Sequence, residues 1–116
     1  MLFMGKKYIL AKDARDFIVE FSEERWNYII NKHEDLNEYG ITEEHFRRAI
    51  ENPQHGCIYS SHVFRGNCAV YYLQIDKKLE LVVVVKYTGE VGEIVTAHFS
   101  SKRPDGEEII WPRTNL

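Results

Sequence analysis

The chain is short of several things, and each shortage closes off a class of protein. It has 2 cysteines in 116 residues, Cys57 and Cys68, which could pair once across a hairpin but cannot build a disulfide framework. No Cys/His spacing suggests a structural zinc site. With 3 prolines and 7 glycines, there is no repeat, low-complexity tract or linker. No apolar run approaches the length of a membrane span. Residues 1–4, MLFM, are apolar but much shorter than a signal h-region. The expectation is therefore a cytoplasmic protein with no membrane partner. A net positive charge is also lacking, with 15 lysines and arginines against 18 acidic residues. The net charge is −3 and the pI about 5.9, whereas a dedicated nucleic-acid-binding domain is usually basic. An enzyme that cuts RNA needs only a local positive site, so that class stays open.

What remains is an ordinary globular composition, with 44% hydrophobic and 28% charged residues. At this length the whole of 1–116 is expected to form one domain, large enough for a core without covalent staples. In a reducing compartment Cys57 and Cys68 are expected as thiols in that core.

The first half reads as helical. Residues 16–21, DFIVEF, alternate like a short strand. Ser22 then suits a helix N-cap, and Glu23 and Glu24 favour the first turn. Trp26, Ile29, Ile30 and His33 recur at spacings of three and four and form one face. This helix is expected to end near Leu36. Thr42 caps a second helix with Phe46, Ala49 and Ile50 inward, and Asn52-Pro53 stops it. These six apolar helix residues, Trp26 to Ile50, are expected to bury against one sheet face.

The second half changes to strand grammar. Strands are expected at residues 57–64, 68–75, 79–87, 93–101 and 107–111. The turns between them fall at 65–67, 76–78, 88–92 and 104–106. The plan is an α+β domain in which two N-terminal helices pack on an antiparallel sheet of four to five strands.

Polar side chains within this plan carry the candidate chemistry. His33 shares a helix face with apolar residues, so it points toward the protein, and histidine moves protons near neutral pH. Thr96 and His98 share one face of their strand, with Val95, Ala97 and Phe99 on the other. Lys86 interrupts an apolar strand. If Tyr87 pairs with Glu93, then Lys86, Thr96 and His98 share a face. A two-residue Gly89-Glu90 turn instead sets Lys86 opposite Glu93 on the other face. Arg65, Lys102, Arg103 and Arg113 are candidate phosphate contacts. Tyr59, Tyr71 and Tyr72 are of a type that stacks bases, although strands carry aromatics for packing alone.

The stretch from Trp26 to Leu36 resembles the motif W-x-x-I-x-x-x-H-x-x-L, and Ile50-Glu51-Asn52-Pro53 is similar to a helix-ending I-x-N-P. With Val82 to Lys86, Val95-Thr96-Ala97-His98 and residues 106–111, these resemble the phage-associated barnase–EndoU–colicin–RelE-like (BECR) nucleases over most of the chain. Lys32, Glu34 and His98 stand where the family pattern has arginine, proline and a small or polar residue. The resemblance implies a toxin-like, metal-independent endoribonuclease that needs no cofactor. His33, Lys86, Thr96 and His98 would line its site, with Lys102, Arg103 and Arg65 on RNA phosphates. It implies RNA as the partner, with tRNA or ribosome-bound mRNA as forms of it, and an antitoxin or immunity protein. Two rival readings stand beside it: a non-catalytic protein-binding module of the same fold, and a toxin whose site the ribosome completes.

Overall fold

A computed structural model describes residues 6–53, 58–60, 68–100 and 108–111, with backbone alone at 58–60 and 108. Seven strands and three helices are present among them. These are β1 (Tyr8–Lys12), β2 (Ile18–Phe21), α1 (Glu23–Lys32), α2 (Glu34–Glu38), α3 (Glu43–Glu51), β3 (Ile58–Ser60), β4 (Cys68–Asp76), β5 (Leu79–Thr88), β6 (Val91–Ser100) and β7 (Glu108–Trp111). One sheet runs in the order β1-β2-β6-β5-β4-β3-β7. The α+β class holds. The sheet is larger than expected and mixed, because β2 pairs parallel to β6 while the other neighbours are antiparallel. A hairpin, β1–β2, also precedes the helices. Its loop, residues 13–17, closes on Asp13 and carries Asp16 at φ +71°.

The first helix divides where one was expected. His33 leaves helical geometry at φ −130° and ψ 74°, while its N–H still donates to the Ile29 carbonyl at 2.8 Å. The break turns Leu36 of α2 into the core. Two bonds then end α2, from Gly40 N–H to Asn37 O (3.0 Å) and from Ile41 N–H to Leu36 O (3.0 Å). That is a Schellman ending, with Gly40 left-handed at φ +71° and Leu36 and Ile41 both buried. Upstream, the Ser22 hydroxyl accepts from Arg25 N–H at 3.1 Å and caps α1. At α3, the Thr42 N–H donates to His45 Nδ1 at 3.0 Å.

The helices cover one sheet face. Ile29, Phe46, Ala49 and Ile50 are buried there, and Trp26 and Ile30 pack half-buried against the same cluster. Trp26 and Phe21 flank Phe46 at ring distances of 5.4 and 5.5 Å. The other sheet face has its own buried cluster of Cys68, Val70, Tyr72, Val82 and Val84. This explains the unbroken apolar run in β5, since a strand buried on both faces need not alternate. Cys57 lies outside the described residues.

Register is decided by a bulge. Near the turn, Thr88 faces Val91 and Lys86 faces Glu93, as a two-residue Gly89-Glu90 turn requires. The pairing shifts between Val84 and Val85, and beyond it Val84 faces Thr96 and Val82 faces His98. Val95 is the extra residue. Both anticipated registers therefore occur in one hairpin, on either side of the bulge. Lys86 opposes Glu93, and it still shares a face with Thr96 and His98. Val95 does not share the Ala97 and Phe99 face as expected, because the bulge removes it from the alternation.

A buried polar knot ties the β1–β2 loop to the sheet. Asp13 is 4% exposed, and its carboxylate accepts from Tyr87 Oη (2.7 Å), Arg15 Nη2 (2.9 Å), Arg15 N–H (2.8 Å) and Phe17 N–H (3.0 Å). Tyr71 and Tyr87 hydroxyls meet at 2.5 Å. Burial pushes the Asp13 carboxyl up, but hydrogen bonds from Tyr87, Arg15 and Phe17 outweigh it and hold it below the usual value. The Tyr87 ring reaches this knot by lying over Gly92, where a Cβ would come within 2.7 Å of it.

This packing sets the stability expected of three variants and its dependence on pH. Phe46→Ala should cost about 3–5 kcal/mol in denaturant unfolding, and Trp26→Ala less, since its ring keeps some solvent. Asp13→Asn should cost about 3 kcal/mol at neutral pH, the low end for a broken buried pair because Arg15 is partly solvated. A depressed folded-state pKa gives stability that is present above the unfolded value of about 3.9 and lost as pH falls through the folded value. The wild type should therefore lose more stability than Asp13→Asn in that acid window, and parallel pH curves would refute this.

Candidate functional site

β2 pairs with β6 only along Val91–Glu93. Beyond that point the chain of β2 has turned into α1, so α1 lies against β6 where a strand would otherwise sit. The bulge carbonyl of Val95 accepts from Arg25 Nη1 at 3.3 Å, which joins helix to strand. A cleft of about 470 Å³ opens between the two elements. Arg25, Tyr28, Lys32 and His33 line it from the helix, and Val95, Thr96 and His98 from the strand.

The cleft brings two histidines together. The His33 and His98 rings lie 5.8 Å apart between centroids and are tilted by 37°. His33 arrives there because α1 ends at it. His98 arrives because the bulge puts it on the face away from the helical core. Burial pushes the His98 pKa down, the neighbouring His33 pushes it further, and Asp35 opposes both more weakly. His98 is therefore held in its neutral form, ready to accept a proton.

Cations stand along the same wall. The Arg25 guanidinium lies 5.1 Å from the Tyr28 ring centroid and the Lys32 ammonium 5.5 Å, and Lys32 Nζ donates to Tyr28 Oη at 3.3 Å. The charged side chains that line the cleft, Arg25 and Lys32, are thus cationic although the chain as a whole is net acidic.

Of the expected site residues, His33, Thr96 and His98 meet in this cleft. Lys86 lines the adjoining one, exposed and across from Glu93. Arg65, Lys102, Arg103 and Arg113 lie outside the described residues. Tyr71 and Tyr72 are buried and present no ring to a base, because both faces of β4 are packed. The side chain of Tyr59 also lies outside the description. Sequence reasoning missed Arg25, Tyr28 and Lys32. Their spacing of three and four marks one stripe beside the apolar face of α1, a signal that reads equally well as a solvated helix flank.

No protein-family model matches the chain, and no curated protein or solved structure matches it at a significant level.

The coupling between the two rings is measurable. His98 should titrate below the ordinary histidine value of about 6.5 in an imidazole NMR titration. Its midpoint should rise in His33→Gln, which removes the repelling charge, yet stay below the ordinary value because burial persists. An unchanged midpoint would mean the rings do not interact.

Proposed function

We propose that this domain is a metal-independent endoribonuclease of the BECR, RelE-like type. The observation that carries the reading is the His33–His98 pair in a cleft walled by Arg25 and Lys32. Cleavage through the 2′-hydroxyl needs a base, an acid and positive charge around one phosphate. His98, held neutral, takes the 2′-hydroxyl proton. The 2′-oxygen attacks phosphorus, and the bond from phosphorus to the 5′-oxygen breaks. His33, as imidazolium, gives its proton to that leaving oxygen. The products are a 2′,3′-cyclic phosphate and a 5′-hydroxyl. Arg25 and Lys32 face the charge that grows on the phosphorane, and Thr96 orients a non-bridging oxygen.

The base role suits His98 because burial and the neighbouring His33 both lower its pKa, so it is free to accept a proton. The acidic net charge is compatible with the chemistry, since only the cleft must attract phosphate. In a toxin-like setting the substrate is cellular RNA, and an antitoxin would act by covering this cleft.

His33→Ala and His98→Ala should each slow RNA cleavage by about 10²–10⁴-fold without unfolding the protein. The rate of the wild type should be bell-shaped in pH and unaffected by EDTA, and the product should carry a cyclic phosphate. A folded wild type that leaves RNA intact, with and without ribosomes, would transfer the reading to a protein-binding module. Full activity in both variants would place the chemistry elsewhere.

A further inference from the structure

The cleft does not end at the bulge. A second cleft of about 420 Å³ adjoins it, and Arg25 and Val95 line both. Lys7, Lys86, Glu20 and Glu93 are among its other walls. Lys7 sits on Glu93 at 3.1 Å and offsets that carboxylate. Lys86 is exposed and makes no hydrogen bond or ion pair with the other described residues. The two clefts therefore form one track with cations along it: Lys32, then Arg25 at the junction, then Lys86.

Tyr28 lies beside that track. It is 49% exposed, although Arg25 and Lys32 hold its ring from either side in sequence. An isolated surface tyrosine needs no explanation. An aromatic ring fixed by two cations, inside a cleft that also holds an acid–base pair, has the make-up of a base-stacking platform.

Resting on the nuclease reading, we infer that the substrate is single-stranded RNA that crosses both clefts. One base stacks on Tyr28, the scissile phosphate lies at His33 and His98, and the neighbouring phosphate lies on Lys86, with Arg25 between the two phosphates. A base inside a duplex has both faces covered by its neighbours and cannot reach a side-chain ring, so a duplex is excluded from this path. Lys86 is thus a phosphate-binding residue of the adjoining cleft and does not touch the reacting atoms.

The test measures binding without cleavage. A fluorescein-labelled 2′-O-methyl oligoribonucleotide of mixed sequence has no 2′-hydroxyl to attack, so its anisotropy reports affinity alone. The single strand should bind more tightly than its own duplex. Tyr28→Ala should weaken it by about 5–150-fold, the range for one lost base stack. Tyr28→Phe, which keeps the ring, should bind within about threefold of wild type on the same scale. Lys86→Gln should weaken binding and reduce the slope of log affinity against log salt by about 0.7. Equal affinity for duplex and single strand would overturn the inference, and so would wild-type binding by Tyr28→Ala or Lys86→Gln. These results are separable from the catalytic proposal. Ring- and lysine-dependent binding with intact RNA would sink the catalysis and leave the path. Cleavage by His33 and His98 with unaffected Tyr28 and Lys86 variants would do the reverse.

Discussion

The β-bulge at Val95 is the constraint on which the site depends. A two-residue turn at Gly89-Glu90 sets an odd pairing sum at the start of the β5–β6 hairpin. Continued to the end of β6, that register would send Thr96 and His98 into the helical core and Ala97 to the opposite face. One extra residue reverses the alternation. Ile94 and Ala97 are then both buried in the core, three positions apart, and His98 turns to the cleft. The cost of the bulge is an interrupted ladder. Arg25 meets part of it by donating to the Val95 carbonyl. The same side chain thus supports the strand, ties α1 to it and contributes charge to both clefts.

The scaffold beneath is held at the end of the sheet nearest the turn. Asp13 gathers the β1–β2 loop onto Tyr87 of β5 and, through it, Tyr71 of β4. Tyr87 can span that distance because Gly92 presents no side chain beneath its ring. This fixes β2 beside the first residues of β6 and brings the chain to Ser22, where α1 starts. β2 is 4 residues long, so its pairing ends at Glu93 and the rest of that edge is left to the helix. A longer β2 would occupy the position of the cleft.

Electrostatics at the site run against the average of the molecule. The chain is net acidic, yet α1 presents Arg25 and Lys32 on the side that faces β6. The two imidazoles interact closely enough that His33 lowers the pKa of His98. Such a pair is a poor stabilising device, since both members are half-buried and repel when protonated. Under the proposed function the pair serves proton transfer, and the flanking cations set the sign of the molecule it would act on.

Much of the fold is legible in local chemistry. Ser22 and Thr42 announce α1 and α3, Asn52-Pro53 closes α3, and period-three-and-four apolar residues mark the buried faces. The β-branched runs mark β4 and β5. His33, Thr96 and His98 can be singled out from the sequence because each is a polar residue with a definite face. The break at His33, the parallel β2–β6 pairing and the bulge cannot be read the same way. Each is a choice between backbone arrangements that local propensities leave nearly equal, and burial of side chains distant in sequence decides it. Arg25, Tyr28 and Lys32 look like a solvated helix flank until β6 is set against them. The sequence by itself determined which residues could carry protons and which faces were apolar, since both follow from side-chain type and spacing. Only the tertiary structure decided that His33 and His98 share a cleft while Lys86 lies in the next one, because a one-residue shift in register moves every side chain to the opposite face.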